Sequence, residues 1–345
     1  MDVAIHTKRW NGARPPDKIL VIRFQALGDT IITLPYIRGI KKQFPKVRID
    51  LFTRTEVSAI PRDLGIFDNV FEIAGGRNAK AQFLFSLLKI PKLLTRRYDA
   101  VIDLQNNRIS RIVRKLLRPK GWTAFDLYAP LSAGERTRNA IEALWQWKIV
   151  PETSRVHTPA TYRVEELLKS NGARAGHEFV ILNPAGYCPS RNWPLKNYVD
   201  FARKWLGEVQ PLTQFVLLLL PAQRASANYL KEHIGDSCID LTGLADQVRA
   251  FQIVGLSALM LSEDSGLMHM AWTQGVPTIA LFSSSRKDWS APQGRRSVCL
   301  DSSDMSCGPC GLEICRYGDN RCLTRYSPDF VLAQASLLRL KKQDI

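Results

Sequence analysis

The residues best suited to chemistry lie in one stretch, where an apolar run ends in a polar turn. They are Glu263, Asp264, Ser265, Gly266 and, one helical turn later, His269. The pattern predicts a strand, a turn and a helix, and Gly275-Val-Pro then leads into a second strand. Ligands collect at the carboxyl ends of parallel strands, and free N–H groups at a helix start bind anions. We therefore expect an anion site here, with Asp264 capping the helix; a capped helix with a surface histidine is the simpler alternative.

A second strand-to-helix junction carries a carboxylate at Asp29, after the apolar run of residues 18–24. If Asp29 points into a cleft between domains, it can act as a general base. Its alternative role is to cap the helix that begins there. The junction lacks the G-x-G-x-x-G pattern of dinucleotide-binding turns, which disfavours hydride transfer.

A cation follows the strand predicted over residues 178–182. The loop after that strand ends in Arg191-Asn-Trp-Pro194. This loop and the turn at Asp264 leave the same edge of a parallel sheet, so the Arg191 guanidinium can face an anion held there. The alternative is a surface arginine beside a tryptophan that packs in the core.

Two series of β-rich runs alternate with helical patterns and predict two α/β domains, each with a parallel sheet covered on both faces. The runs are residues 18–24, 48–53, 69–73, 100–104 and 122–127, then 178–182, 214–220, 238–241, 259–261 and 278–282. Helices are expected near 139–147, over 161–170 as a linker and over 328–340, and residues 1–14 form a polar tail. The boundary falls near 165–177, so we expect domains over 1–165 and 175–325 and a closing helix in 326–345.

The chain carries 48 Lys and Arg against 32 Asp and Glu, and the excess lies almost wholly in its first half. Residues 1–170 have a net charge of +14 (30 against 16), whereas residues 171–345 have +2 (18 against 16). Such segregation predicts that the N-terminal domain faces an anionic partner, with a merely solubilising charge as the alternative. No nucleic-acid-binding module is recognisable, so nucleic acid is not the expected partner.

The start of the chain lacks the apolar core of a signal peptide, and the longest apolar run, residues 215–220, is too short to span a bilayer. We therefore expect a cytoplasmic protein. Residues 108–118 nevertheless suit a basic amphipathic helix on a membrane surface. Its cations are Arg108, Arg111, Arg114, Lys115 and Arg118, and its apolar residues are Ile109, Ile112, Val113, Leu116 and Leu117. The alternative is a helix packed on the sheet with a solvated basic face, and both descriptions can hold at once.

Seven cysteines without an export signal argue against a disulfide framework. Four of them, Cys307, Cys310, Cys315 and Cys322, lie close together among glycines that allow tight turns. Four thiols suit a structural zinc or iron ion, although the second spacing is short for a zinc ribbon. Free thiols or occasional disulfides are the alternative.

Together these motifs resemble glycosyltransferase family 9, the ADP-heptose:lipopolysaccharide heptosyltransferases. The matching pieces, in order, are Ala26-Leu-Gly-Asp-Thr30, Asn183-Pro-Ala-Gly186, Arg191-Asn-Trp-Pro194, Leu241-Thr-Gly-Leu244, Asp264-Ser-Gly-Leu-Met-His269 and residues 275–282. The resemblance extends over residues 18–340 and implies the GT-B fold, in which two Rossmann-like domains face each other across a cleft.

The resemblance also implies roles for residues. Asp29 matches the catalytic base, Arg191 stands where the family binds the donor diphosphate, and the donor-binding turn is matched by Asp264, Ser265, Gly266 and His269. The implied reaction is an inverting displacement that requires no metal ion or other cofactor. Glu263 stands where a neutral residue is expected, and no residue clearly matches the family's contact to the nucleotide ribose.

The implied function is transfer of heptose from ADP-heptose to the inner core of lipopolysaccharide, which is a lipid-linked phosphorylated glycan. The enzyme would be peripheral on the cytoplasmic face of the inner membrane, with the anionic membrane surface as a further partner of the basic domain. Two alternatives stay open: a GT-B transferase with another nucleotide sugar or a protein acceptor, and a non-catalytic binding protein of the same fold. Some members of the family that glycosylate proteins carry a similar cysteine group.

Overall fold

The computed structural model describes residues 6–145, 147–156, 163–186 and 188–340. Contacts divide the chain into two compact units, Met1–Thr153 and Ser154–Ile345. This division lies earlier than the boundary expected near 165–177. Just after this division, Arg155 already contacts the body of the second unit, where it donates a hydrogen bond of 3.3 Å to the carbonyl of Ser257.

The first unit contains a six-stranded sheet among its described residues. The strands are β1 (Thr7–Lys8), β2 (Lys18–Ile22), β3 (Arg48–Arg54), β4 (Asn69–Ile73), β5 (Ala100–Asp103) and β6 (Gly121–Ala124). The helices are α1 (Leu27–Gln43), α2 (Ala59–Asp63), α3 (Ala79–Arg96), α4 (Arg108–Leu117) and α5 (Ala133–Glu142). The strand order is β1-β6-β5-β2-β3-β4, and all pairs are parallel except β1 with β6. The winding direction reverses between β2 and β5, which opens a crevice at their carboxyl ends.

The second unit repeats this plan with another six-stranded sheet in its described part, this one wholly parallel. The strands are β7 (Glu178–Asn183), β8 (Thr213–Leu217), β9 (Cys238–Asp240), β10 (Leu259–Glu263), β11 (Thr278–Leu281) and β12 (Ser297–Leu300). The helices are α6 (Val164–Ser170), α7 (Leu195–Lys204), α8 (Arg224–Ile234), α9 (Gln247–Leu256), α10 (Gly266–Trp272), α11 (Lys287–Ser290), α12 (Arg321–Thr324) and α13 (Pro328–Leu340). The order β12-β11-β10-β7-β8-β9 places the reversal between β7 and β10.

The two parallel sheets confirm the predicted α/β class, and both have the strand order of a Rossmann-like, doubly wound sheet. Every expected strand is present, with ends shifted by a few residues, and the closing helix is present as α13. The helix expected near 139–147 occurs earlier, as α5, and α6 covers the described part of the helix expected over 161–170.

Two edge strands were missed. β1 falls in the segment that was expected to be a polar tail, where Thr7 and Lys8 pair with Thr123 and Trp122. A strand of two residues is too short to show a hydrophobic period, so only its pairing reveals it. The other missed strand, β12, has only four residues, of which one is buried, so its sequence is also too short to show a clear period.

The sheets are the cores of the units. In β2, residues 19–22 have no solvent exposure, as befits a strand covered by helices on both faces. In the second unit, Trp193 and Tyr198 are buried and pack edge to face with ring centroids 4.9 Å apart. No helix in the described part of the chain is both long and apolar enough to cross a lipid bilayer.

Candidate functional site

Asp29 lies in the first turn of α1, just beyond the carboxyl end of β2. Its Oδ1 forms an ion pair of 2.7 Å with Arg23, and its Oδ2 accepts a hydrogen bond of 2.8 Å from the backbone N–H of Ala26. The second contact is a helix cap, so the structural role weighed from the sequence is present. The side chain is nevertheless 34% exposed, so capping leaves the carboxylate within reach of a ligand.

Arg23 is a site residue that the sequence analysis missed. Its side chain is almost fully buried, its guanidinium lies 4.8 Å from the ring centre of Phe125, and its Nη1 donates to the carbonyl of Leu104. The Gln105 side chain also accepts hydrogen bonds from the main chain of residues 24–25. The end of β5 therefore positions the loop after β2. The sequence signal that could have revealed Arg23 is its charge inside an otherwise apolar run.

The equivalent crevice of the second unit joins Asn183, at the end of β7, to the turn after β10. Asn183 Nδ2 donates to Ser262 Oγ (2.8 Å) and to Ser265 Oγ (2.7 Å). Ser265 is also the N-cap of α10, where its Oγ accepts from the N–H of Met268. The expectation that Asp264 caps this helix is therefore wrong. The capping position has extended backbone geometry and lies one residue later, so Asp264 points elsewhere.

Asp264 faces Arg191, as expected from the common sheet edge. Arg191 Nη1 lies 3.6 Å from Asp264 Oδ2, and both side chains are largely buried. Asp264 Oδ1 also accepts from Ser290 Oγ at 3.2 Å. Trp193 is 1% exposed and its indole N–H donates to the carbonyl of Tyr326 at 3.0 Å. This contact anchors residues 188–194, the loop that carries Arg191 and is called the arginine loop below. Both features considered from the sequence are therefore present, since Trp193 packs in the core and Arg191 faces Asp264.

Glu263, the last residue of β10, holds the arginine loop against the end of that strand. Its side chain has no solvent exposure. The Oε1 atom accepts hydrogen bonds from the N–H of Trp193 (2.6 Å) and from the Tyr198 hydroxyl (3.4 Å). The Oε2 atom accepts one from the N–H of Gly186 (2.5 Å). Burial raises the pKa of Glu263 to about 8, against the lowering effect of these hydrogen bonds. Three hydrogen-bond donors converge on the carboxyl group of Glu263, which explains why an acidic residue stands where a neutral one was expected.

Gly186 is required by close approach. A Cβ there would lie 2.3 Å from Asn192 Oδ1, 2.6 Å from the carbonyl oxygen of Arg191 and 2.8 Å from Glu263 Oε2. Any side chain would push the arginine loop away from the strand end. The glycine and the buried acid therefore act together to set the position of Arg191.

His269 lies one turn into α10, which begins at Gly266. It is only 5% exposed, so the alternative of a surface histidine is wrong. Its Nδ1 accepts a hydrogen bond of 3.0 Å from the Trp272 indole. A neutral ring in this position carries its proton on Nε2.

Three serines at the end of β11, Ser283, Ser284 and Ser285, were also missed, although a serine run directly after a predicted strand was the available signal. Ser284 Oγ lies 3.0 Å from Ser190 Oγ and accepts from Arg191 Nε at 3.4 Å. Ser283 and Ser284 line a cavity of about 310 Å³. Hydroxyl groups therefore extend the site from Arg191 toward the C-terminal loops.

The four clustered cysteines line that same cavity. All are free thiols, and among the described residues no group of three or more His, Cys, Asp or Glu is placed to hold a metal ion. Burial raises the pKa of the Cys315 thiol, but hydrogen bonds from the backbone N–H groups of residues 317–320 outweigh burial and hold it below its ordinary value. This thiol is therefore the most readily ionised of those whose pKa is shifted.

Residues 135–320, more than half of the chain, match the family model of glycosyltransferase family 9 (heptosyltransferase). The chain belongs to glycosyltransferase family 9. The resemblance seen in the sequence motifs is thereby confirmed. Members of this family are glycosyltransferases, so the protein is an enzyme that transfers a glycosyl group.

Similar proteins match over nearly their whole length. Lipooligosaccharide heptosyltransferase 2 of Haemophilus ducreyi is 21% identical over 93% of this chain and 99% of its own. A family 9 glycosyltransferase of Veillonella parvula has a TM-score of 0.75 at 19% identity, covering 94% of this chain and 98% of its own. The ADP-heptose lps heptosyltransferase II of E. coli has a TM-score of 0.69 at 17% identity, covering 94% and 99%. These structures confirm the predicted GT-B fold.

Iron occurs in a more distant member of the same fold. The iron-containing dodecameric glycosyltransferase TibC of enterotoxigenic E. coli has a TM-score of 0.51 at 12% identity, and the match covers 94% of this chain and 76% of that one. The likeness is one of fold, so it transfers no metal site to the present family 9 chain.

Proposed function

We propose that this glycosyltransferase transfers heptose from ADP-heptose to the inner core of lipopolysaccharide. The Haemophilus ducreyi and E. coli enzymes named above as heptosyltransferases match this chain almost from end to end. The observation that carries the proposal is the convergence of Arg191 and the turn at Asp264–Gly266 on the switch point between β7 and β10. Anionic ligands of doubly wound sheets bind in such crevices.

The donor diphosphate binds at this switch point in our proposal. The Arg191–Asp264 contact of 3.6 Å is longer than a good charge-assisted hydrogen bond, so Arg191 can turn to a diphosphate at small cost. Ser265, Gly266 and the following turn supply backbone N–H groups, and the buried His269 supports the helix behind them. Positive charge and N–H donors there stabilise ADP as it leaves.

Asp29 is the general base of the proposed reaction. An acceptor hydroxyl oxygen attacks the anomeric carbon of the heptose, the bond from that carbon to the diphosphate breaks, and the hydroxyl proton passes to the carboxylate of Asp29. Attack on the face opposite the leaving group inverts the anomeric centre. The contacts with Arg23 and Ala26 occupy one lone pair on each carboxylate oxygen and leave the others for the hydroxyl.

The acceptor belongs to the basic N-terminal unit. Its excess of cations suits a phosphorylated, lipid-linked glycan and the anionic surface in which that lipid is anchored. We accordingly propose that the enzyme works in the cytoplasm, peripheral on the cytoplasmic face of the inner membrane.

The decisive experiment measures ADP release from ADP-heptose with and without lipopolysaccharide that lacks heptose. We expect release that depends on this acceptor. If ADP binds by calorimetry but no release occurs, the transferred sugar or the acceptor differs, and other nucleotide sugars and protein acceptors are tested next. Absence of both ADP binding and release would refute the proposal, because the donor would then not be an ADP-sugar.

We also propose a structural zinc or iron ion at Cys307, Cys310, Cys315 and Cys322. The transfer reaction itself takes no step through it. All four thiols line one cavity, and Gly311 and Gly318 adopt positive φ angles of 70° and 72°, which suit tight turns around an ion. Since no three described ligands are yet close enough, metal binding would draw these loops together.

Metal analysis of protein purified without a histidine tag is expected to find about one equivalent of zinc or iron per chain. Replacing Cys310 and Cys315 by serine should remove the metal and lower the melting temperature. The same substitution at Cys299, which does not line the cavity, serves as the control and should leave the metal content unchanged. A content far below one equivalent in the wild type would contradict the proposal.

A further inference from the structure

The helix α3 exposes the side chains that a water-soluble helix normally buries. The residues it buries in its first half are the polar Gln82 and Ser86. Its exposed side chains include Phe83 (37%), Leu84 (57%), Phe85 (37%), Leu87 (38%), Leu88 (66%) and Leu94 (46%). Water-soluble helices show the opposite arrangement, with the apolar stripe turned to the core. A contiguous apolar face of this kind marks an interaction surface.

The charges on α3 and at its two ends have one sign. Residues 77–97 include six cations, namely Arg77, Lys80, Lys89, Lys92, Arg96 and Arg97, and no acidic residue. The helix α4 packs against α3 and adds exposed cations at Arg108, Arg111, Lys115 and Arg118. A cationic rim around phenylalanine and leucine side chains fits a surface that is anionic outside and apolar within.

The helix α4 contributes less to the apolar face, although its Leu116 is 46% exposed. Ile109 and Val113 belong to the core cluster of the first unit. Arg114 is buried, lies 3.3 Å from Asp103 and places its guanidinium 3.9 Å from the ring centre of Trp122. This helix therefore packs on the sheet with a solvated basic face, as in the alternative considered from its sequence.

We propose that α3 docks on an anionic phospholipid bilayer, with its phenylalanine and leucine side chains inserted among the lipids and the surrounding cations at the headgroups. A second copy of the chain fits the same face less well, because two such rims would bring like charges together. This inference rests on the proposed function, because a lipid-linked acceptor is the reason for the enzyme to bind a membrane. Lipid binding is measured without donor or acceptor, so the membrane proposal and the proposed transfer reaction can be refuted independently.

The test sediments the full-length protein with vesicles of phosphatidylethanolamine and phosphatidylglycerol in equal parts, and with vesicles of phosphatidylcholine. The wild type should bind the anionic vesicles better, and added salt should weaken binding. Replacing Leu84 and Leu88 by glutamine should weaken binding about tenfold or more, because two apolar side chains no longer enter the lipid. The matched control replaces Leu337 and Leu340, which are 55% and 77% exposed on α13, and should bind like the wild type.

Transfer to a water-soluble acceptor fragment should be unchanged in the Leu84/Leu88 variant, which shows that the enzyme still folds, whereas transfer to acceptor embedded in vesicles should fall. Vesicle binding equal to that of the wild type in this variant would overturn the proposal. The proposal would also be overturned if the wild-type protein did not bind anionic vesicles. A third contrary result would be a wild-type dimer that the two substitutions dissociate. In the last case the partner of α3 is a second copy of the chain.

Discussion

Replacing Asp29 by asparagine is expected to lower the turnover number of glycosyl transfer by about 10²–10⁴-fold, with donor affinity close to that of the wild type. Asparagine retains an oxygen that can accept the Ala26 N–H, but its amide cannot take a proton from the acceptor hydroxyl. Alanine would also stop transfer, yet it would remove the helix cap and leave Arg23 without its carboxylate, at a cost of about 1–2 kcal/mol in stability. Asparagine also deprives Arg23 of its carboxylate, but it keeps the helix cap and therefore separates chemistry from folding better than alanine does.

The measurements are the rate of ADP release with acceptor present and the dissociation constant of the donor by calorimetry. Glu135 supplies the matched control, because it is the carboxylate of an equivalent capping box at the start of α5 in the same unit. Glu135→Gln should affect stability slightly and turnover little. Turnover within about threefold of the wild type in Asp29→Asn would sink the assignment of the base. Loss of donor binding would show that Asp29 serves the donor site instead.

Replacing Glu263 by alanine is expected to lower the free energy of unfolding by about 3–5 kcal/mol, because it leaves two backbone N–H groups and the Tyr198 hydroxyl without their buried acceptor. It should also weaken ADP binding, since Glu263 holds the loop that carries Arg191 against the turn at Asp264. Denaturant unfolding and calorimetry with ADP measure the two effects.

Glu178 offers the control, because it lies in the same sheet but is partly exposed and pairs with Arg339. Glu178→Ala should cost no more than about 1 kcal/mol. If Glu263→Ala unfolds like this control, the buried acid does not fasten the loop. If it is destabilised but binds ADP as the wild type does, Glu263 supports the fold and has no role in placing Arg191.

The pH dependence of stability is an independent test of the raised pKa of Glu263. Its pKa is raised from 4.5 in an ordinary setting to about 8 in the folded protein, chiefly by burial. The native state therefore keeps a proton that the unfolded chain loses, and this contribution is complete below about pH 4.5 and lost as the pH rises to about 8. Melting temperatures should fall over that window in the wild type and fall less in Glu263→Gln, which does not titrate. Equal slopes would contradict the raised pKa.

The class of fold and the positions at which a site could form follow from the order of residues in the chain. Alternating β-rich and helical patterns require parallel strands, and parallel strands bring all their carboxyl ends to one edge of a sheet. Asp29, Arg191 and Asp264 each follow a strand, so their placement at the two sheet edges followed from the chain order. The motif spacing was sufficient to identify glycosyltransferase family 9, which the family match confirms.

Which groups meet depends on how the chain packs in three dimensions. Glu263 binds N–H groups that lie more than 65 residues earlier in the chain, and no local pattern announces such partners. Periodicity likewise shows that α4 has an apolar and a basic face, but not that the sheet takes the apolar one and that Asp103 takes Arg114. Nor does it show that α3 turns four of its five leucines outward. Burial depends on the neighbours that the fold brings to each face, and those neighbours are distant in sequence.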